Sequence, residues 1–415
     1  MKERILHKLT HTALLLMALG AAGARADDAG TSMFSFSGFG TVGVVHSSED
    51  KADFTSSFFK PNGAGHSRSW SADVDSLIGG QITANFTPRL SAILQVISEH
   101  NYDDTYRPHV EWANVRYQVT PDFSVRAGRT VVPTFLLSDT RKVAYTYPWV
   151  RPPLEVYGLM PITSSDGVDV SYRLHVGEWA NTVQANLGKG EAKLVRNGGT
   201  AKFPRGWGIS STAESGPLTA RIAYHRFDAT MPAVNAAFDS FRQFGPQGDV
   251  IAEKYDVNDK AFTAVAVGAS YDPGAWFVMG EWGRVDSRTT FGKRTAWYAS
   301  GGYRLGKFTP YVSYARAKAE PLSDPGLDVS AVPPSLAGPA SVLNAFLNSS
   351  LSANPVQNTV SVGGRWDFAK NAALKLQFDH TRLGAGSSGV LSNIQPGFQL
   401  GGRLDVFSAT VDFVF

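Results

Sequence analysis

The sequence predicts an all-β fold, an antiparallel β-barrel of about sixteen strands. Three observations lead to this prediction. Apolar and polar residues alternate within many short segments, short and long connections follow each other in turn, and the chain ends inside an alternating segment. A period of two is typical of a β-strand whose two faces lie in different environments.

The first 26 residues have the order of a secretory signal peptide. A basic start, MKERILHK, precedes the apolar run TALLLMALGAAG, and the small residues of ARA end at Ala26. The apolar run is too short for a membrane-spanning helix, which needs about 20 apolar residues. We therefore expect cleavage after Ala26, and a mature barrel domain that comprises residues 27–415.

Charge and cysteine content exclude some classes of protein. Four of the 39 Lys and Arg and one of the 36 Asp and Glu lie within residues 1–26, so the rest of the chain is neutral. This balance gives no support to nucleic-acid binding. The chain has no cysteine, so disulfides cannot contribute to its stability after export.

Short turn signals containing Pro, Gly, Asn or Asp separate pairs of alternating segments, as β-hairpins require. The seven signals lie at 86–90, 119–123, 175–179, 214–218, 271–275, 304–308 and 368–372. Eight longer connections alternate with them, at about 47–70, 99–108, 131–166, 188–205, 228–259, 286–293, 319–356 and 384–402. An up-and-down meander explains this order and gives sixteen strands, with eighteen as the alternative count.

Alternation alone does not distinguish a barrel from a soluble β-sandwich. Two further features favour a barrel in a membrane. Charges occur in mid-strand on the polar face, where a dry sandwich core could not accept them unpaired but a water-filled interior could. Aromatic residues lie beside most short turns, where they would form a girdle at a membrane interface. The girdle residues are Phe86, Phe123, Trp179, Tyr271, Tyr303, Phe308 and Phe368.

The C-terminal segment predicts how the sheet closes. Within a bilayer every backbone N–H and C=O must pair inside the protein, so a spanning sheet cannot keep a free edge. The last strand, Arg403 to Phe415, is therefore expected to pair with the first, at Phe34 to Val45.

On these features the chain resembles the Gram-negative outer-membrane porins that form sixteen-stranded trimeric channels. The leader, the alternating strands, the terminal VDFVF and the segment SVRAGRTVVPTFLLSDTRKVAYTYPWVRPPLEVYG carry the resemblance. It implies an outer-membrane location among lipids, a homotrimer, short periplasmic turns and long extracellular loops. It also implies that the strand ending at Phe415 is read by the barrel-assembly machinery, and that the third long loop, 131–166, folds inward as a constriction.

Candidate pore residues follow from strand parity and from that loop. A basic inner wall on the fourth to sixth strands would attract anions, and loop carboxylates opposite it would complete a transverse field. Solvated pairs lining a wide barrel are the alternative interpretation. The wall consists of Arg116, Arg126 and Arg173. The predicted pore-lining residues are Asn114, Arg116, Gln118, Arg126, Arg173 and Arg221, and the predicted residues of the constriction loop are Asp139, Arg141, Lys142, Tyr145, Arg151, Glu155 and Asp166.

Arg129 does not fit this parity. It shares the parity of Phe123 and Val125, which would point it at lipid, where a charge is costly. Either a bulge at Gly128 turns Arg129 inward or the side chain lies at headgroup level. The porin resemblance favours the bulge.

The sequence favours passive diffusion of small hydrophilic solutes and ions, with a slight preference for anions. Two other classes stay open: a barrel enzyme of the lipase or protease type, and a receptor or adhesin. GFGTVG at 38–43 matches a nucleotide-binding pattern but lacks its helix, and glycines near a barrel bend explain it better. We expect no enzymatic activity, no cofactor and no metal site.

Overall fold

The computed structural model describes residues 32–195 and 198–415. Residues Ser35–Phe415 form one compact unit, which contains the barrel. The predicted signal peptide lies outside the described residues. In the described part of the chain, no helix is long and apolar enough to cross a membrane.

In the described part of the chain, sixteen long antiparallel strands and the two-residue piece Trp70–Ser71 form one closed sheet, which confirms the predicted fold class. The first eight are β1 Phe34–Ser47, β2 Leu77–Asn85, β3 Leu90–Glu99, β4 His109–Gln118, β5 Phe123–Val131, β6 Ser164–Val176, β7 Trp179–Lys193 and β8 Thr200–Ser215. The second eight are β9 Leu218–Ala229, β10 Lys260–Tyr271, β11 Trp276–Ser287, β12 Lys293–Tyr303, β13 Phe308–Ala319, β14 Gln357–Ala369, β15 Ala372–Leu383 and β16 Arg403–Val414.

The first and last strands close the sheet as predicted. Residues of β1 and β16 are paired from Phe39 opposite Val414 to Ser47 opposite Val406. The pairing continues to the chain end, because Phe415 N–H donates to Gly38 O at 2.9 Å and Gly38 N–H donates to Phe415 O at 2.8 Å. The C-terminal residue therefore contributes to the hydrogen-bonded seam of the barrel.

All seven predicted short turns connect consecutive strands at one end of the barrel. The eight long connections lie at the other end, and several of them differ in length from the prediction. The predicted loop 188–205 is mostly strand, because β7 continues to Lys193 and β8 begins at Thr200. A register shift between Gly188 and Gly190 accommodates the irregular sequence there, including Pro204. The predicted loop 286–293 is reduced to 288–292, because Asp286 pairs with Lys293.

Short helices and strands occur within the long connections. The helices are the 3₁₀ helix Ala144–Thr146, α1 Leu154–Tyr157, α2 Pro232–Arg242, α3 Pro246–Tyr255 and α4 Pro334–Ser352; each of the last three begins with proline, whose fixed φ suits a first helical position. Strand pieces Asp53–Phe54 and Ala64–Gly65 pair with each other, and Trp70–Ser71 pairs with β1. Phe238, Phe241 and Leu347 belong to one core that holds α2, α3 and α4 together.

The two faces of the wall differ as the alternation predicts. On β13, Val312 is 55% exposed on the outer face, whereas its neighbours Tyr311 and Ser313 point inward and are buried. The predicted girdle aromatics beside the short turns are exposed on the outer face, apart from Phe123, which is partly buried. The outer face thus offers an apolar surface to lipid and the inner face a polar one to the interior.

Two glycines of GFGTVG make room for the C-terminal aromatic rings. A Cβ atom on Gly40 would lie 2.5 Å from Cζ of Phe413, and one on Gly38 would overlap the ring of Phe415. The rings of Phe413 and Phe415 stack on each other, with centroids 6.3 Å apart. These glycines therefore have a packing role at the seam.

We expect Gly40→Val to lower the free energy of unfolding by about 1–3 kcal/mol, because its side chain would displace the Phe413 ring. In a Phe413→Ala background the same change should cost much less, since the obstructing ring is absent. A double-mutant cycle on denaturant unfolding of refolded protein measures both values. Equal costs in the two backgrounds would contradict the proposed contact.

Candidate functional site in the barrel interior

The connection between β5 and β6, residues 132–163, lies inside the barrel and is called the lumen loop below. Trp149 Nε1 donates to Ser300 Oγ of β12 at 2.8 Å, and Val150 N–H donates to Gln377 Oε1 of β15 at 3.0 Å. Ser300 and Gln377 are buried on the inner face of the wall. The loop thus reaches from its own strands to the far side of the barrel.

Arg151 is one ionic anchor of the lumen loop. Its Nε and Nη2 donate to the two carboxylate oxygens of Asp75 at 2.8 and 2.5 Å, and Nη2 also donates to Ser408 Oγ at 2.7 Å. Asp379 of β15 lies 3.4 Å from Nη1. The Arg151 side chain is 7% exposed and that of Asp75 is 4% exposed, so the charges are paired where water cannot screen them.

Lys375 of β15 forms a second anchor. Its Nζ donates to the carbonyl oxygens of Ala144 and Trp149 at 2.7 and 2.8 Å and lies 2.8 Å from Asp412 of β16. Both charged side chains are fully buried. Lys375 is not among the residues predicted from the sequence, although its place on the polar parity of β15 indicates that it faces inward.

Two carboxylates accept hydrogen bonds where the loop meets the wall. Glu281 of β11 accepts from Leu136 N–H at 2.7 Å, from Tyr157 OH at 2.5 Å and from Tyr298 OH at 2.9 Å. Glu155 of α1 accepts from Gln357 Nε2 at 2.7 Å and from Thr359 Oγ1. Burial raises the pKa of Glu155, against the opposing effect of these hydrogen bonds.

The other predicted loop residues have different positions. Arg141 donates to the carbonyls of Met160 and Tyr157 within the loop, and Lys142 pairs with Glu99 of β3 at 2.5 Å. Tyr145 OH donates to Lys370 O at 3.1 Å. Asp139 is half exposed and lies 3.6 Å from Arg221 of β9.

The predicted set of loop carboxylates therefore needs two corrections. Asp166 is not on the loop, because β6 begins at Ser164. Glu155 does not face an open passage, because it is buried against the strands and hydrogen-bonded to them. Of the three predicted acids, only Asp139 is exposed on the loop.

The bulge predicted at Gly128 is absent. Pairing between β4 and β5 continues through this residue without a register shift, although Gly128 has a φ of 122°. Arg129 lies opposite Asp166 and donates to both of its carboxylate oxygens at 2.8 Å. The prediction that a bulge at Gly128 turns Arg129 inward is therefore wrong. The charge of Arg129 is instead stabilised by an acidic partner on the next strand.

The inner face of β4 to β6 and β9 carries four of the predicted pore-lining residues, Arg116, Arg126, Arg173 and Arg221. Arg116 and Arg126 are direct cross-strand neighbours. Arg126 Nε donates to the buried Asp169 at 2.8 Å, which also accepts from Gln184. Arg116 donates to Gln118 Oε1 at 2.7 Å and has no carboxylate within ion-pair distance in residues 32–195 and 198–415.

Three further pore-lining residues complete this set. Arg173 lies 3.7 Å from Glu214, with both side chains half exposed. Arg221 donates to Phe135 O at 2.5 Å and so contacts the base of the lumen loop. Asn114 donates to Arg129 O at 2.9 Å.

Among the described residues, no group of three or more His, Asp and Glu side chains has an arrangement suited to a metal ion.

Comparison with known proteins agrees with this architecture. The family model of the Gram-negative porins matches residues 12–386, so the chain belongs to the Gram-negative porin family. It is accordingly a passive diffusion channel of the outer membrane, which confirms the predicted class and location. A search of curated protein sequences finds no match to this chain.

Solved structures resemble the fold over nearly its whole length. An anion-selective porin from Comamonas acidovorans has a TM-score of 0.55 and 13% identity, with 92% of this chain and 99% of that chain covered. OmpF of Salmonella typhi has a TM-score of 0.54 and 14% identity, with 92% and 97% covered. The outer membrane channel DcaP of Acinetobacter baumannii has a TM-score of 0.53 and 12% identity, with 94% and 100% covered.

Replacing Arg151 by Gln should release the lumen loop from the far wall. The change leaves Asp75 and Asp379 buried without their cation, and breaking a buried pair in this way costs about 3–5 kcal/mol. We expect a matching loss in the free energy of unfolding and larger, noisier single-channel currents. Arg107→Gln is the matched control, because Arg107 is 83% exposed; equal effects of both changes would refute the anchoring role.

The docking of Glu155 should depend on pH. Because its pKa is raised in the folded state, the folded protein holds this proton more tightly than the unfolded chain does. The contribution of protonated Glu155 to the free energy of unfolding is therefore complete at pH values below the ordinary pKa of about 4.3. It declines as the pH rises through the raised pKa of the folded state. The test is to measure the midpoint of thermal unfolding of wild type and Glu155→Gln at a series of pH values from below to above the ordinary pKa. The difference between the two midpoints should change with pH, and a difference that stays constant would contradict the prediction.

Proposed function

We propose that this diffusion channel prefers small hydrophilic anions and carries out no chemistry on them. The observation that carries the proposal is the cross-strand pair of Arg116 and Arg126 on the inner wall, with Asp169 as the one carboxylate bonded to it among the described residues. Two guanidinium groups against one carboxylate leave a net positive charge there.

The cost of this arrangement supports a functional role. Like charges directly opposite each other destabilise a β-sheet. Arg116 is exposed, so nothing in the packing of the barrel requires its charge. A charge that faces water inside a low-dielectric wall attracts counter-ions and raises their local concentration.

The position of the lumen loop adds a second argument. The loop is bonded to β11, β12 and β14 to β16, so it covers that side of the interior. We infer that the narrowest passage lies between the loop and the strands that carry Arg116, Arg126 and Arg173. One structural relative is named as anion-selective, but at 13% identity it supports the fold and not the selectivity.

Assembly and export complete the proposal. We propose that residues 1–26 are removed on export, that the strand ending at Phe415 is recognised by the barrel-assembly machinery, and that three copies associate in the outer membrane. The apolar outer wall supports contact with lipid or with a second barrel, since both bury the same kind of surface.

Replacing both Arg116 and Arg126 by Gln should shift the reversal potential in a salt gradient toward cations. A unit charge at about 4 Å in water is worth about 1 kcal/mol, so the permeability ratio of chloride to potassium should fall at least about fivefold. The measurement uses planar bilayers at low and at high salt, because screening should reduce the difference.

Arg89→Gln is the matched control for this experiment. Arg89 is exposed in a short turn, so this variant removes one positive charge, of the two that the double variant removes, at a place away from the inner wall. An unchanged reversal potential in the double variant, or an equal shift in Arg89→Gln, would refute the role of the basic wall.

A further inference from the structure

A large apolar cavity lies at the end of the barrel that carries the long connections. It has a volume of about 730 Å³, which is within the range of small-molecule sites. The lumen loop contributes Leu159 and Met160, α2 contributes Phe238 and α4 contributes Phe346. Strand ends supply further aromatic rings, among them Phe203, Phe227 and Phe262.

Four buried polar atoms around this cavity have no hydrogen-bond partner within residues 32–195 and 198–415. They are Asn186 Oδ1, His225 Nε2, Thr290 Oγ1 and Arg294 Nε. Leaving a buried polar group unpaired costs about 1–3 kcal/mol. Unpaired groups that gather around one cavity indicate a place where a ligand supplies the missing partners.

The charges around the cavity define the sign of that ligand. Its lining includes five basic residues, Arg141, Lys189, Arg226, Arg294 and Lys318, and a single acid, Glu155. The carboxylate of Glu155 is occupied by Gln357 and Thr359. Arg294 has no carboxylate within ion-pair distance in the described part of the chain, and its guanidinium lies 5.6 Å from the ring centroid of Phe291.

From this geometry we propose that the cavity binds a small organic anion with an aromatic or similarly apolar body, whose carboxylate pairs with Arg294. The apolar lining accepts the ring, and Arg294 and Thr290 supply donors for the carboxylate. The inference rests on the proposed function, because it names a class of anion that the channel would admit. It goes beyond the basic wall, whose charge attracts any anion.

Benzoate is the probe for this site. Acetate, which has the carboxylate but no ring, and benzyl alcohol, which has the ring but no charge, are the comparison ligands. Calorimetric titration of the folded protein in detergent should give a dissociation constant for benzoate at least about tenfold lower than for either, because neither uses both the ring contacts and the charge. Equal binding of benzoate and acetate would overturn the apolar part of the proposal. Equal binding of benzoate and benzyl alcohol would overturn the charged part.

Variants at Arg294 test the assigned residue. Arg294→Gln should weaken benzoate binding at least about tenfold and leave benzyl alcohol unaffected, whereas Arg294→Lys should retain much of the benzoate affinity. Arg288→Gln is the matched control, because Arg288 is exposed on the neighbouring connection. Unchanged benzoate binding in Arg294→Gln, or an equal loss in Arg288→Gln, would refute the assignment.

A second variant covers the case in which Arg294→Gln does not fold. Ser350 of α4 lines the cavity and is only partly buried, so Ser350→Trp should fill the apolar space and weaken benzoate binding by a similar factor. Full benzoate affinity in this variant would overturn the site. Benzoate binding is measured in detergent and selectivity in bilayers, so the two proposals can fail separately. If benzoate does not bind but the channel still prefers chloride, only the benzoate site is refuted. If benzoate binds but the channel prefers cations, only the proposed anion selectivity is refuted.

Discussion

Backbone hydrogen bonding in a medium without water is the constraint on which this structure depends. Inside a bilayer an unpaired N–H or C=O costs several kcal/mol, so a sheet is stable there only when its first and last strands meet. The seam between β1 and β16 meets this requirement up to Phe415. The alternation of side chains, the apolar outer wall and the polar interior all follow from closing the sheet in this environment.

A closed barrel of this size leaves an interior that side chains of the wall do not fill, and the lumen loop occupies much of it. The loop and the wall that faces it both bring charges into that space, so each charge must meet an opposite charge or a hydrogen-bond partner. Arg151 meets Asp75 and Asp379, and Lys375 meets Asp412 and two loop carbonyls. The interior is thereby divided into a side that is packed and a side that carries the exposed arginines.

The strand count, the seven short turns, the closure and the inner position of Arg116 and Arg126 could all be predicted from the sequence. These features depend on local turn chemistry and on a period of two, and both are visible within a few residues. The contacts of the lumen loop could not be predicted, because Arg151 and Asp379 are 228 positions apart in the sequence. The alternation of apolar and polar residues shows which face of the sheet a side chain lies on, but it does not show which distant residue that side chain contacts. Arg129 was misinterpreted for the same reason, since its partner Asp166 lies across a long loop.

The full burial of the Lys375 and Asp412 pair has an evolutionary consequence. Neither residue can change alone without leaving its partner uncompensated, so this pair is expected to be retained or exchanged together in descendants of the gene. Arg116 has no such partner among the described residues and can be replaced singly. Permeation properties can therefore drift by single mutations while the framework that holds the loop is inherited as a unit.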